Sequence, residues 1–188
     1  MKEIYILLSK TGTIPSRLIH TIQRGEYTHA SFSLTPTTDR FYSFARRSLH
    51  NFLNAGFFVE DIHTHVFAKY PDCDCGLYSL EISDEAYERL SKIVTMMIEN
   101  EDRFDYNFFG LLPAKLGIKM YRKYHYTCSQ FVATALYRSG DVKLPKDPSL
   151  MMPNDFLLID GIKEIYSGKI KDCKFPVHKS VAYETLSV

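Results

Sequence analysis

The sequence predicts an α+β fold with a mostly antiparallel sheet, and three observations carry that reading. Strand-type segments dominate the first half, where polar and apolar residues alternate and short turns part them. The clearest helical segments come later, one opening at Ser83 and one near Cys128. The order is thus strands first and helices interleaved afterwards, not the regular strand and helix alternation of a parallel sheet. With 188 residues, 45% of them hydrophobic, and with Gly and Pro held to 9 and 8, the chain suffices for one compact domain over 1–188 with a sizeable core. No repeat, low-complexity tract or linker divides it.

Taken in order, residues 4–8 form a first strand. Thr13 and Pro15, followed by Leu18, Ile19 and Ile22 and closed by Gly25, have the start signal, spacing and stop signal of a short helix. Residues 29–34 alternate as a half-buried strand does, with His29, Ser31 and Ser33 on one face and Ala30, Phe32 and Leu34 on the other. Pro36-Thr37-Thr38-Asp39 turns the chain into a strand over 41–45, which completes a hairpin. Residues 51–56 read as loop, 57–66 as a further extended segment and 76–82 as another alternating strand.

Ser83 then caps an amphipathic helix: Asp84 and Glu85 occupy its first turn, and Tyr87, Leu90, Val94, Met97 and Ile98 share one face. Residues 110–118 read as a short apolar helix interrupted at Pro113. A second clear helix begins near Cys128, runs through Val132, Ala135 and Leu136 and stops at Gly140. Pro153-Asn154-Asp155-Phe156 starts one more turn or short helix, and 162–170 and 177–183 return to the sheet.

Lys and Arg number 23 against 22 for Asp and Glu, a formal net charge of +1, so no overall basic excess draws the chain onto nucleic acid or anionic lipid. The apolar run at 4–8 is too short for a signal-peptide core and far too short to span a bilayer. The expectation is a cytoplasmic protein without stable membrane insertion, in which Cys73, Cys75, Cys128 and Cys173 are thiols rather than a disulfide framework. Nothing in the pattern sets the oligomeric state.

Tyr126-Thr127-Cys128-Ser129-Gln130 places a cysteine at the mouth of a helix, where Thr127 or Ser129 can cap and the unpaired N–H groups favour a thiolate. A free thiol titrates near ~8.5, and such a position lowers it. The other reading of Cys128 is a small buried hydrophobe on the inner face of the helix. His29, one of seven histidines, reads equally as a satisfied surface side chain or as a base. For an oxyanion the backbone N–H of Cys128 is a natural donor, and the Tyr126 hydroxyl is a candidate second one, although a tyrosine among 13 Tyr and 13 Phe is also ordinary core. Arg46 and Arg47 have two readings, partners for a substrate carboxylate or a solvated strand end. His63, His65, Cys73 and Cys75 supply four zinc-type donors, but Cys-x-Cys spacing is tighter than structural zinc sites use, and the stretch reads as a turn with no metal.

Thr28-His29-Ala30-Ser31-Phe32-Ser33-Leu34, then Phe41-Tyr42-Ser43-Phe44-Ala45-Arg46, then Tyr126-Thr127-Cys128-Ser129-Gln130-Phe131-Val132, together resemble the permuted NlpC-like branch of the papain superfamily. That branch includes the YiiX-like amidohydrolases and, more distantly, the lecithin–retinol acyltransferases. The match extends through Tyr106-Asn107-Phe108-Phe109-Gly110 and Pro153-Asn154-Asp155-Phe156, so it covers most of the chain. The resemblance implies a circularly permuted papain-like fold in which the His strand precedes the Cys helix, with Cys128 as nucleophile and His29 as its base. It also implies an orienting third group on the strand after the His strand; there this chain offers Ser43, a neutral hydroxyl where the family has a carboxylate, His, Asn or Gln, and a carboxylate such as Asp39, Glu60 or Asp61 at that place is the alternative to it. The implied activity needs no cofactor: cleavage of an amide, ester or thioester of a peptide or acyl substrate, or acyl transfer, through a thioester. Ser43 leaves a second possibility, a catalytically silent module that binds a ligand or partner in the same cleft.

Overall fold

The computed structural model describes residues 1–10, 26–48, 51 and 53–175. The short helix expected from Thr13 to Gly25 and the strand expected over 177–183 lie outside the described residues. The architecture is α+β: one eight-stranded sheet in the order β7-β6-β4-β3-β2-β1-β5-β8, with helices packed against it. The strands are β1 (Lys2–Ser9), β2 (His29–Ser33), β3 (Phe41–Arg46), β4 (Ala55–Glu60), β5 (Asp74–Ile82), β6 (Asp105–Tyr106), β7 (His125–Tyr126) and β8 (Lys163–Lys169). Every pairing among them is antiparallel except that of β6 with β7. Among the described residues the α-helices are α1 (His65–Lys69), α2 (Asp84–Glu99), α3 (Leu111–Lys115) and α4 (Cys128–Ser139).

The hairpin of β2 and β3 forms as read, with Phe32 opposite Tyr42. The strands are buried more thoroughly than alternation suggests, because both faces of the sheet are covered. On one side Ile4, Ile6, Phe32, Phe44 and Phe57 pack with Leu90, Val94 and Met97 of α2 and with Phe131, Val132 and Leu136 of α4. On the other, Tyr5, Leu7, Phe41 and Leu77 pack with Phe67 of α1 and with Ile170 and Cys173. Ser31 and Ser33, read as the polar side of a half-buried strand, are therefore fully buried.

The extended segment expected over 57–66 ends at Glu60. Asp61 Oδ1 accepts the His63 N–H at 2.8 Å, an Asx turn that diverts the backbone from the strand, and α1 follows. Ser83 caps α2 as predicted, its hydroxyl accepting from Ala86 N–H at 3.2 Å. Its inner face holds Leu90, Val94 and Met97, while Ile98 is exposed. Pro113 does not interrupt the helix at 110–118: it stands in the first turn of α3, where an N–H would have no intrahelical acceptor. Thr127 caps α4 by accepting the Gln130 N–H at 3.1 Å, and Gly140 closes it at φ 86°, in the left-handed region that favours glycine.

One device fixes the sheet edge next to the helices. Arg47 donates to the carbonyls of Phe57, Glu101 and Phe104 at 3.2, 2.6 and 2.8 Å. Its guanidinium is thus spent joining β4 to the segment before β6, which removes it as a substrate-carboxylate ligand. Gly56 permits this approach, since a Cβ there would stand 2.1 Å from the Phe104 carbonyl oxygen. Among the described residues no helix is long and apolar enough to cross a membrane.

Candidate active site

Cys128 opens α4, and the packing of that helix on β2 and β3 brings its thiol to the start of β2, where His29 stands. The imidazole stands close enough to the thiol to favour its thiolate, and the backbone of Ala30 and the Ser129 hydroxyl, 3.9 Å away, act in the same direction. His29 Nε2 meets both carboxylate oxygens of Glu60 at 3.0 Å, which leaves Nδ1 as the ring nitrogen available to the thiol. Cys128 is 3% exposed and Glu60 7%, while the His29 side chain keeps 14% of its surface open.

Electrostatics point one way. Burial works against an imidazolium, but the Glu60 carboxylate and the hydrogen bonds to Cys128 and Glu60 outweigh it and hold the His29 pKa well above its ordinary value. Burial also works against a thiolate, yet the hydrogen bond and charge of His29, with help from the Ala30 backbone and Ser129, bring Cys128 below the ordinary thiol range. Both directions favour a thiolate beside an imidazolium.

Of Cys128, His29, Ser43 and Tyr126, the structure brings the first two together and places the other two elsewhere. Ser43 is fully buried, and its hydroxyl has no hydrogen-bond partner. The carboxylate that meets the ring comes from one strand further on. Ser43 faces Phe58 across β3 and β4, and Glu60, two residues beyond Phe58, projects from the same face with a side chain long enough to reach the ring. The expectation at position 43 followed the order of strands, whereas the carboxylate is set by which side chain spans the distance.

Tyr126 is likewise displaced from its expected role. Its ring packs on Phe44 at 5.2 Å and Phe131 at 6.4 Å, as part of the core. The phenol that meets the thiol is that of Tyr106, on the neighbouring strand β6, with its hydroxyl 4.0 Å from Cys128 Sγ. Burial and the adjacent thiolate raise the Tyr106 pKa well above its ordinary value, so the hydroxyl remains a proton-bearing donor. Asn107 fixes this corner: its N–H donates to the Tyr126 carbonyl at 2.9 Å, and its buried amide lies so near Gly110 that a Cβ there would stand 2.5 Å from Nδ2. The Tyr-Asn-Phe-Phe-Gly run is thereby a packing unit that delivers Tyr106. At the helix mouth, the Cys128 N–H has no acceptor among the described residues and joins the Tyr106 hydroxyl as an available donor.

The four zinc-type donors do not converge. His63 Nε2 lies 3.2 Å from the Thr38 hydroxyl, the His65 ring rests against Phe58 at 5.0 Å, and Cys75 is buried in the second core cluster with Cys173. Among the described residues no group of three or more His, Cys, Asp or Glu side chains could hold a metal ion.

No protein-family model matches the chain, and no curated protein matches it.

Proposed function

We propose that the protein is a cysteine hydrolase or acyl transferase of the permuted papain-like kind, with Cys128 as nucleophile, His29 as acid and base, and Glu60 as the group that orients and charges the imidazole. The observation that carries this reading is the His29–Glu60 contact on the ring nitrogen away from the thiol, joined to the opposite pKa shifts of Cys128 and His29. The thiolate attacks the carbonyl carbon of a peptide or acyl substrate, and the Tyr106 hydroxyl and Cys128 N–H are the donors at hand for the oxyanion. Collapse breaks the bond to the amine, alcohol or thiol, which leaves with the proton from His29. Water, or an acceptor nucleophile in a transferase, then attacks the thioester and gives its proton to His29, and the thiolate is restored.

The case for a silent binding cleft rested on the neutral hydroxyl at Ser43. With Glu60 on the ring that objection loses its ground. The test is direct acylation: with a p-nitrophenyl ester, the protein should release a stoichiometric burst of nitrophenolate and gain the acyl mass on the peptide carrying Cys128. Cys128→Ala should do neither. A burst that survives that substitution, or an acyl group found on another residue, defeats the proposal.

A further inference from the structure

The segment that follows Tyr106 presents apolar side chains to solvent from a backbone that is firmly tied. Phe109, Leu112, Leu116 and Ile118 are 75%, 57%, 65% and 55% exposed. Phe109, Leu112 and Leu116 stand at i, i+3 and i+7 along the Phe108–Gly110 3₁₀ helix, α3 and its C-cap, Leu116, a spacing that sets them toward one side. The helix closes in a Schellman motif: the Gly117 N–H donates to the Ala114 carbonyl at 3.2 Å and the Ile118 N–H to the Pro113 carbonyl at 2.9 Å, with Gly117 at φ 72°. Such a closure usually tucks its following hydrophobic residue against the helix, whereas here Ile118 is left outside. Further along, Gln130 Nε2 donates to the Met120 carbonyl at 3.1 Å and the Tyr121 hydroxyl bonds Asp147. The exposure is built into an ordered surface.

Its charge is of one sign. From Tyr106 to Gly140 the sequence holds Lys115, Lys119, Arg122, Lys123 and Arg138 and no Asp or Glu, although the whole chain balances to +1. Lys119 is paired with Asp147 at 2.9 Å. Lys115, Arg122 and Lys123 are exposed and have no carboxylate partner among the described residues. Arg122 lies over the Phe109 ring at 5.8 Å, which sets a cation at the margin of the apolar face.

We infer that this face docks on an anionic lipid bilayer. Phe109, Leu112, Leu116 and Ile118 enter the boundary between headgroups and acyl chains, and Lys115, Arg122 and Lys123 meet the phosphates. Apolar side chains gathered on one face, with unpaired cations in the same segment and Arg122 over one of its rings, have the composition of an interfacial segment, where a monomer in water leaves such residues scattered. A second copy is the poorer occupant, because a two-fold contact through this face sets the same cations against one another. The docking is independent of the chemistry proposed for Cys128. It would set the Cys128 site, which the Tyr106 hydroxyl meets from three residues before Phe109, toward the membrane surface.

The test uses the full chain and vesicles of phosphatidylcholine, alone or mixed in equal parts with phosphatidylglycerol. The protein should sediment with the mixed vesicles at low salt and not with phosphatidylcholine alone. Lys115→Gln, Arg122→Gln and Lys123→Gln should each weaken partition about fivefold. The chain contains no tryptophan, so Phe109→Trp is a single reporter: its emission should shift to the blue on the mixed vesicles. Leu158→Trp, at a position 65% exposed on another element, should not shift. Leu112→Ser with Leu116→Ser, both surface changes whose melting temperature checks the fold, should abolish sedimentation. The inference is overturned if the unaltered chain stays in the supernatant at low salt, if neutral vesicles bind it equally, if the reporter stays unshifted, or if sedimentation equilibrium finds a dimer that Leu112→Ser disrupts.

Discussion

His29 on β2 and Glu60 on β4 meet at 3.0 Å although β3 lies between their strands in the sheet. Because Glu60 supplies the leading interaction that raises the His29 pKa against burial, Glu60→Gln should lower that pKa and leave the imidazole less charged when the thiolate forms. On any substrate found, kcat/KM should fall on the order of a hundredfold or more, the contribution of a general base held in place. Its alkaline limb should also move to lower pH. A variant with a full rate and an unmoved alkaline limb would show that the carboxylate does not serve the ring.

Iodoacetamide should distinguish the cysteines. The His29 contact brings the Cys128 thiol below its ordinary range, so its alkylation should begin to rise at a pH below the ~8.5 of a free thiol. Burial pushes Cys73 up to about 11, and the hydrogen bond with Cys173, with burial behind it, pushes Cys75 upward too, so these two should remain slow at neutral pH. His29→Ala should return Cys128 to ordinary behaviour. Peptide mapping after a brief pulse reads all of them at once, and Cys73 labelled ahead of Cys128 at neutral pH would contradict the electrostatics described above.

Ser43→Ala should leave the rate within a factor of about two, since the hydroxyl makes no hydrogen bond that the substitution could remove. Stability should hold or rise slightly, by up to about 1 kcal/mol, because a buried hydroxyl without a partner is replaced by a methyl group. Thermal melts and steady-state rates on the same preparation check both halves.

These outcomes bear on how far the sequence could be read. The hairpin at Phe32 and Tyr42, the Ser83 cap and the Cys128 helix were legible because each rests on local chemistry: alternation, a side-chain cap, a glycine stop. Glu60 was legible only as one of three carboxylates, with Asp39 and Asp61, since it comes from a strand two positions away in the sheet and its partnership with His29 depends on register and reach. Tyr106 was missed for a related reason. The two-residue strands β6 and β7 carry no periodicity, and they place Tyr106 rather than Tyr126 at the thiol. Whole-chain charge misled in the same way, because a net +1 conceals the cations gathered between Tyr106 and Gly140.

Tyr106→Phe should separate the two tyrosines. A hydrogen bond to a charged group is worth about 1.5–3 kcal/mol, so losing the phenol at the thiol and oxyanion should lower kcat roughly 10- to 150-fold with little change in KM. Tyr126→Phe keeps the ring against Phe44 and Phe131 and should stay close to the parent rate. Equal effects from both would mean that Tyr106 acts through packing.

Stability against pH gives a readout of the His29–Glu60 pair that needs no substrate. In a Cys128→Ala background the thiolate is gone and Glu60 remains the leading group that raises the His29 pKa. An unfolded histidine titrates near ~6.5, below the raised native value. Below ~6.5 both states hold the proton, and the attraction between imidazolium and carboxylate contributes in full. As pH climbs, the unfolded chain gives up its proton first, so the folded state binds more protons and the contribution shrinks. It is lost once pH passes the native value. The difference in melting temperature between Cys128→Ala and Cys128→Ala with Glu60→Gln should therefore be largest near pH ~6 and close as pH rises. A difference that grows with pH instead would require His29 to be neutral in the folded protein, and the ion-pair account of the site would fail on its sign.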